Sequence, residues 1–124
     1  MVDEKLQHFR GRKLDTAGDG LFAAFDGPAR AVRCGAALVD AVQPLGVQLR
    51  VGAHTGECEV LGESYSGIAV HIGARVASAA QPGQVVVTST VKDLVVGSGI
   101  RFEDLGPRAL QGVPNEWRIY RLTA

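Results

Sequence analysis

Residues 12–25, RKLDTAGDGLFAAF, hold two short β-capable runs on either side of a Gly-Asp-Gly tip. Gly18 and Gly20 supply the positive φ that a tight turn needs, and Asp19 is held at its apex, so the stretch reads as a β-hairpin. Just before it, DEKLQHFRG looks like the last turns of a helix, with Gly11 as the stop signal. Just after it, DGPARAVRCGAALVDAVQP (26–44) reads as a helix. Asp26 or Gly27 caps it, Pro28 suits the first turn and Pro44 lies past its end. Ala29, Val32, Ala36 and Val39 recur at helical spacing and make its buried stripe.

Further along, Val47, Leu49, Val51 and Ala53 alternate with polar or small residues, the period of a half-buried strand. SGIAVHIGARVASAA (66–80) is a second helix with Ile68, Ile72, Val76 and Ala79 as its stripe. Val85, Val86 and Val87 form a buried strand, and STVKDLV (89–95) a short helix. IRFEDL and EWRIYRL read as closing strands joined by the loop GPRALQGVPN (106–115). This order implies an α+β sandwich, with helices on one face of a mostly antiparallel sheet. It fits a ferredoxin-like βαββαβ plan lacking the first strand and most of the first helix.

The chain has 124 residues, enough for a single domain (1–124), with 46% hydrophobic and 21% charged residues. Thirteen basic residues balance thirteen acidic ones without a basic block, so nucleic acid is not an expected partner. No apolar run is long enough for a bilayer and no signal peptide opens the chain, so the expectation is a cytoplasmic protein with no membrane contact. Cys34 and Cys58 lack any CxxC or zinc spacing and read as small buried hydrophobes in a reducing compartment.

Several side chains could carry chemistry. A carboxylate such as Asp19 on a glycine hairpin suits a hard cation, or simply satisfies its own turn. His71 and Arg75 lie four apart and share a helix face, from which a guanidinium could reach phosphate oxygens or snorkel over the sheet edge. Lys13 and Asp15, two apart in a strand, form either a polar pair near a ligand or a solvated edge. His54 reads as a satisfied structural histidine. There is no P-loop, dinucleotide fingerprint or Ser-His-Asp arrangement.

Together, LDTAGDGLFAAFDGPARAVRC, VQLRVGAHTGE, GIAVHIGARVASAAQPGQVVVTSTV and FEDLGPRALQGVPNEWRIYRL occur in the order of one family. They resemble the catalytic domain of class III adenylyl and guanylyl cyclases, in the bacterial flavour with TAGDG and AVHIGAR. The resemblance implies conversion of ATP or GTP to the 3′,5′-cyclic monophosphate and pyrophosphate by two-metal chemistry with Mg²⁺ or Mn²⁺. It puts Asp19 at the hairpin metal position and Arg75 at the arginine that stabilises charge on the α-phosphate. His71 falls where most members carry an asparagine that orients the ribose. Asp15 takes a base-reading position usually held by lysine, with Lys13 on the same strand face as a substitute, and Ser64 falls near the second such position. The family works as head-to-tail dimers, so a homodimer or a complete cyclase chain is the expected partner. It also places a strand with the other metal aspartate ahead of the hairpin, and no residue here matches it. An N-terminally truncated cyclase domain, inactive or weak without that strand, is therefore the expectation. Its alternative is a catalytically inert dimerisation or nucleotide-binding module.

Overall fold

The computed structural model describes residues 2–17, 20–56, 59–61 and 64–123, and the side chains of residues 14–17, 20, 21, 59–61 and 64–66 lie outside that description. Strand β6 (Val85–Thr88) organises the molecule. All four of its residues are buried, and because side chains alternate across a strand, such a run needs cover on both faces. Helix α3 (Ile68–Ala79) covers one of them. There Ile72 and Val76 pack with Val86, Leu110 and Ile119. Helices α2 (Pro28–Val42) and α4 (Ser89–Leu94) belong to the other face. On that side Val32, Val91 and Val95 pack with Val85 and Val87. The expectation of helices on a single face is corrected here, since a sheet with one wet face would alternate at β6.

Strand β3 (Val51–Ala53) runs parallel to β6, β8 (Glu116–Leu122) antiparallel to β6, and β7 (Phe102–Ala109) antiparallel to β8. The four-stranded sheet has the order β3-β6-β8-β7 and is mostly antiparallel, as the α+β reading requires. Among the described residues two ribbons stand apart from it in hydrogen bonding: β1 (Gly11–Ala17) with β2 (Gly20–Phe25), and β4 (Glu59–Leu61) with β5 (Ser64–Ser66). Helix α2 lies against β2, β3 and β6 together, so it spans from the first ribbon to the sheet.

Helix α1 (Val2–His8) buries Leu6. Its turn into β1 is made by Arg10 at φ 60 rather than by Gly11, which already pairs with Phe25. Pro28 opens α2 after an extended Gly27, as the capping pattern predicts. The strand expected from Val47 onward is shorter. A 3-10 turn over Gln43–Leu45 continues α2 and ends at Gly46 with φ 78. Val47 is left 46% exposed, and the ladder begins only at Val51. Ile68, expected in the core, is 54% exposed in the first turn of α3. Cys34 is buried, with its Sγ 3.8 Å from the Lys5 carbonyl, and burial pushes its thiol pKa up. Cys58 lies outside the described residues.

Candidate functional site

Helix α3 carries two of the candidate residues, and its seat is set by glycine. It starts at Gly67, whose φ of 121 is open to glycine and strained for other residues. It then crosses β3 at Gly52. A β-carbon there would stand 2.6 Å from Ala77 Cα and 2.8 Å from Ala77 Cβ, so only a hydrogen lets the helix backbone come this close. Ile72 and Val76, 3% and 0% exposed, hold the helix down. Burial of each contributes about 1.5–3 kcal/mol.

His71 and Arg75 flank this apolar stripe one turn apart, as their spacing predicts. Both are partly buried. The Arg75 Nε is buried and has no hydrogen-bond partner among the described residues. A buried N–H without an acceptor is costly, about 1–3 kcal/mol, and a charged one more. An anion brought to this face would supply the acceptor. His71 is engaged. Its Nε2 lies 3.1 Å from the Gln111 carbonyl in the loop between β7 and β8.

The hairpin candidates stand on another part of the chain, packed with α1 and α2 while α3 packs on β3 and β6. Lys13 is exposed, with Nζ 3.4 Å from the carboxylate of Asp3 on α1. The register pairs Lys13 with Ala23 but Asp15 with Phe22, one residue having been inserted in β1. This β-bulge interrupts the simple alternation that would set Lys13 and Asp15 on one face. The side chain of Asp15 and the whole of Asp19 lie outside the described residues, as does the side chain of Ser64. Among the described residues no three His, Cys, Asp or Glu gather as a metal-ligand set. No helix there is long and apolar enough to cross a membrane.

His54 has the structural role expected of it. Its Nδ1 lies 2.8 Å from Oγ1 of Thr88, a fully buried hydroxyl. Its ring meets that of Trp117 edge-on at 5.4 Å. Burial lowers its pKa, which favours the neutral ring.

The loop expected over 106–115 is shorter, 110–115, because β7 continues through Gly106 to Ala109, and the sequence pattern does not mark it as part of a site. It packs Leu110 into the α3 core, and Trp117 Nε1 donates to the Pro114 carbonyl at 3.1 Å. Gly112 and Asn115, both at positive φ (76 and 68), are the signals that could have marked it. On the strands that flank it, Asp104 accepts from the Gly106 amide and from Arg118, which hold its carboxyl below the usual range.

Comparison with known proteins adds a family. Residues 1–124 match the family model described as the adenylate and guanylate cyclase catalytic domain. The chain is 36% identical over 105 residues to an uncharacterized protein of Mycobacterium tuberculosis, covering 81% of this chain and 36% of that one. It thus spans about a third of the length of such curated relatives. Among solved structures, an adenylate/guanylate cyclase/hydrolase from Silicibacter pomeroyi superposes with TM-score 0.88 at 24% identity, over all of this chain and 79% of that one. The guanylate cyclase domain of a Catenaria anguillulae protein, solved with GTP, superposes with TM-score 0.84 at 19% identity, over 99% and 78%. The fold agrees with the α+β plan read from the sequence.

Proposed function

The chain belongs to the adenylate and guanylate cyclase catalytic domain family, and from that premise we propose that it supplies part of a nucleotide cyclase site acting on ATP or GTP. The observation that carries this reading is Arg75. A guanidinium on a rigidly seated helix, with a buried N–H that lacks an acceptor among the described residues, can donate that hydrogen to a phosphate oxygen. As negative charge builds on the α-phosphate during attack by the ribose 3′-oxygen, Arg75 stabilises it without reorganising. His71, one turn away, is the residue we assign to the ribose. Asp15 and Lys13 are the hairpin residues we assign to the purine, Asp15 as an acceptor for its base edge, and the bulge between them means that they do not have to serve it from one strand face. Lys13 must leave its exposed pairing with Asp3 to do so, which costs little because such pairs are worth about 0–1 kcal/mol.

The described residues do not by themselves assemble a metal site. Asp19 is the carboxylate this chain would offer to Mg²⁺ or Mn²⁺, the remaining ligands coming from elsewhere. The ion, when bound, neutralises phosphate charge. Asp19 and Arg75 would serve one site from two chains in a head-to-tail pair. These 124 residues alone would not turn over nucleotide. One observation supports that: the outer edge of β3 has no ladder partner among the described residues.

The test is complementation. The purified chain is mixed with a complete cyclase domain whose own equivalent of Arg75 has been substituted, and cyclic nucleotide is measured with ATP or GTP and Mn²⁺. Activity that appears on mixing and disappears with Arg75→Ala is the expected result. Activity indifferent to Arg75→Ala refutes the assignment. Nucleotide binding with no turnover in any mixture points instead to an inert nucleotide-binding module.

A further inference from the structure

We propose that His71 is a positioning residue that locks the 110–115 loop onto the face of α3 carrying Arg75, leaving only Nδ1 of its ring for a ligand. The inference deepens the cyclase reading and rests on it for the identity of that ligand. A carbonyl oxygen only accepts, so the 3.1 Å contact with Gln111 requires the hydrogen of the imidazole to sit on Nε2. In the neutral ring Nδ1 is then a bare acceptor, able to receive a ribose hydroxyl hydrogen but not to donate one.

The loop is built around this contact. Leu110 is buried beside Ile72 and Val76. The Val113 amide donates back to the Leu110 carbonyl at 3.0 Å, closing a turn over Gln111 and Gly112. Gly112 sits at φ 76, and a β-carbon on it would stand 2.9 Å from His71 Nε2. The turn therefore needs glycine both for its backbone and for room beside the imidazole. Arg75 lies one helical turn on, along the same face. A loop fastened at residue 71 restrains this stretch of α3 and with it the direction from which the guanidinium meets an anion.

Amide side chains separate the two nitrogens of the ring. Glutamine places its NH₂ near the position of Nε2 and can keep the lock, while asparagine reaches only the position of Nδ1 and cannot. Two of the three readouts use the 124-residue chain without substrate, so that they are independent of cyclase activity. Long-range ¹H–¹⁵N spectra of the histidine-labelled chain are expected to show His71 as the Nε2–H tautomer. Exchange of the Val113 amide is expected to quicken about fivefold in His71→Asn and to change less than about twofold in His71→Gln, the size of one neutral hydrogen bond. In the complemented mixture, His71→Gln is expected to restore turnover that His71→Asn loses. An Nδ1–H tautomer, or equal Val113 exchange in all three chains, overturns the proposal. So does higher turnover in His71→Asn with Val113 unchanged, which would make His71 a plain ribose contact.

Discussion

Replacing Gly52 by alanine tests the seat of α3 through the sign of the stability change. With open space, the substitution would stabilise the chain by roughly 0.5–1 kcal/mol, because alanine has less backbone freedom to lose. Here the new methyl meets helix backbone, 2.6 Å from Ala77 Cα. Backbone cannot swing aside as a side chain can. The Ala77 amide nitrogen is closer still, so to restore ordinary contact near 3.4 Å α3 has to rise by more than about 0.8 Å. Ile72 and Val76, almost wholly buried against Val86 and Ile119, would lose part of their contacts. Overpacking of this kind costs about 1–3 kcal/mol, a large share of the roughly 5–15 kcal/mol that typically holds a small domain together. Urea unfolding followed by Trp117, the single tryptophan and itself packed against this core, reads the change directly. The midpoint should fall at constant slope. Ala77 is two residues from Arg75, so turnover in the complemented mixture should also fall, by about 10–100-fold for a misplacement near 1 Å. A midpoint equal to or above that of the parent chain would refute the close approach of α3 to β3 and the positioning argument built on it.

Other substitutions probe the remaining parts. Ile119→Ala empties a fully buried position in the α3 core and should cost about 2–5 kcal/mol, seen as a lower urea midpoint. Arg75→Met keeps volume while removing a buried N–H that has no partner among the described residues; thermal unfolding should show equal or higher stability and nucleotide titration a loss of affinity, the reverse of a structural arginine. Lys13→Ala should shift stability by no more than about 1 kcal/mol, since its pairing with Asp3 is exposed, so any lost nucleotide affinity would report a ligand contact. His54 has its pKa lowered by burial, so the unfolded chain binds its proton more readily. Its stabilising contribution is complete above the ordinary imidazole range near 6.5 and is lost as pH falls below that toward the lowered value. Urea midpoints between about pH 7.5 and 5 should therefore fall less steeply in His54→Gln than in the parent chain, and equal slopes would refute this role.

Much of this is legible in the residues. Pro28 and the helical spacing of Val32 and Val39 place α2, and the β-capable runs around the glycines place the first hairpin. The pairing of His71 with Arg75 on one helix face follows from their spacing alone. What escapes depends on long-range packing. The run Val85–Val87 reads as buried, but its demand for helices on both faces becomes plain only once its neighbours are in place. Val47 and Leu49 alternate as a strand would, yet Gly46 redirects the chain; the Leu49 carbonyl accepts from the Gly83 amide at 2.6 Å, but the ladder with β6 begins at Val51. The inserted residue between Lys13 and Asp15 leaves no mark in their spacing, since a bulge is set by register against Phe22 and Ala23. The contact of His71 with Gln111 spans 40 positions and runs to a main-chain carbonyl, so the identity of residue 111 cannot announce it.

Among the described residues the ribbon of β1 and β2 shares no ladder with the four-stranded sheet, and α2 lies across both. Mechanically, the two bodies are riveted through a helix instead of being woven into one fabric. Tension applied between β2 and β3 would peel α2 away a few side chains at a time, with no row of parallel hydrogen bonds to shear at once. The molecule should accordingly yield in two cooperative steps, the ribbon first and the sheet afterwards.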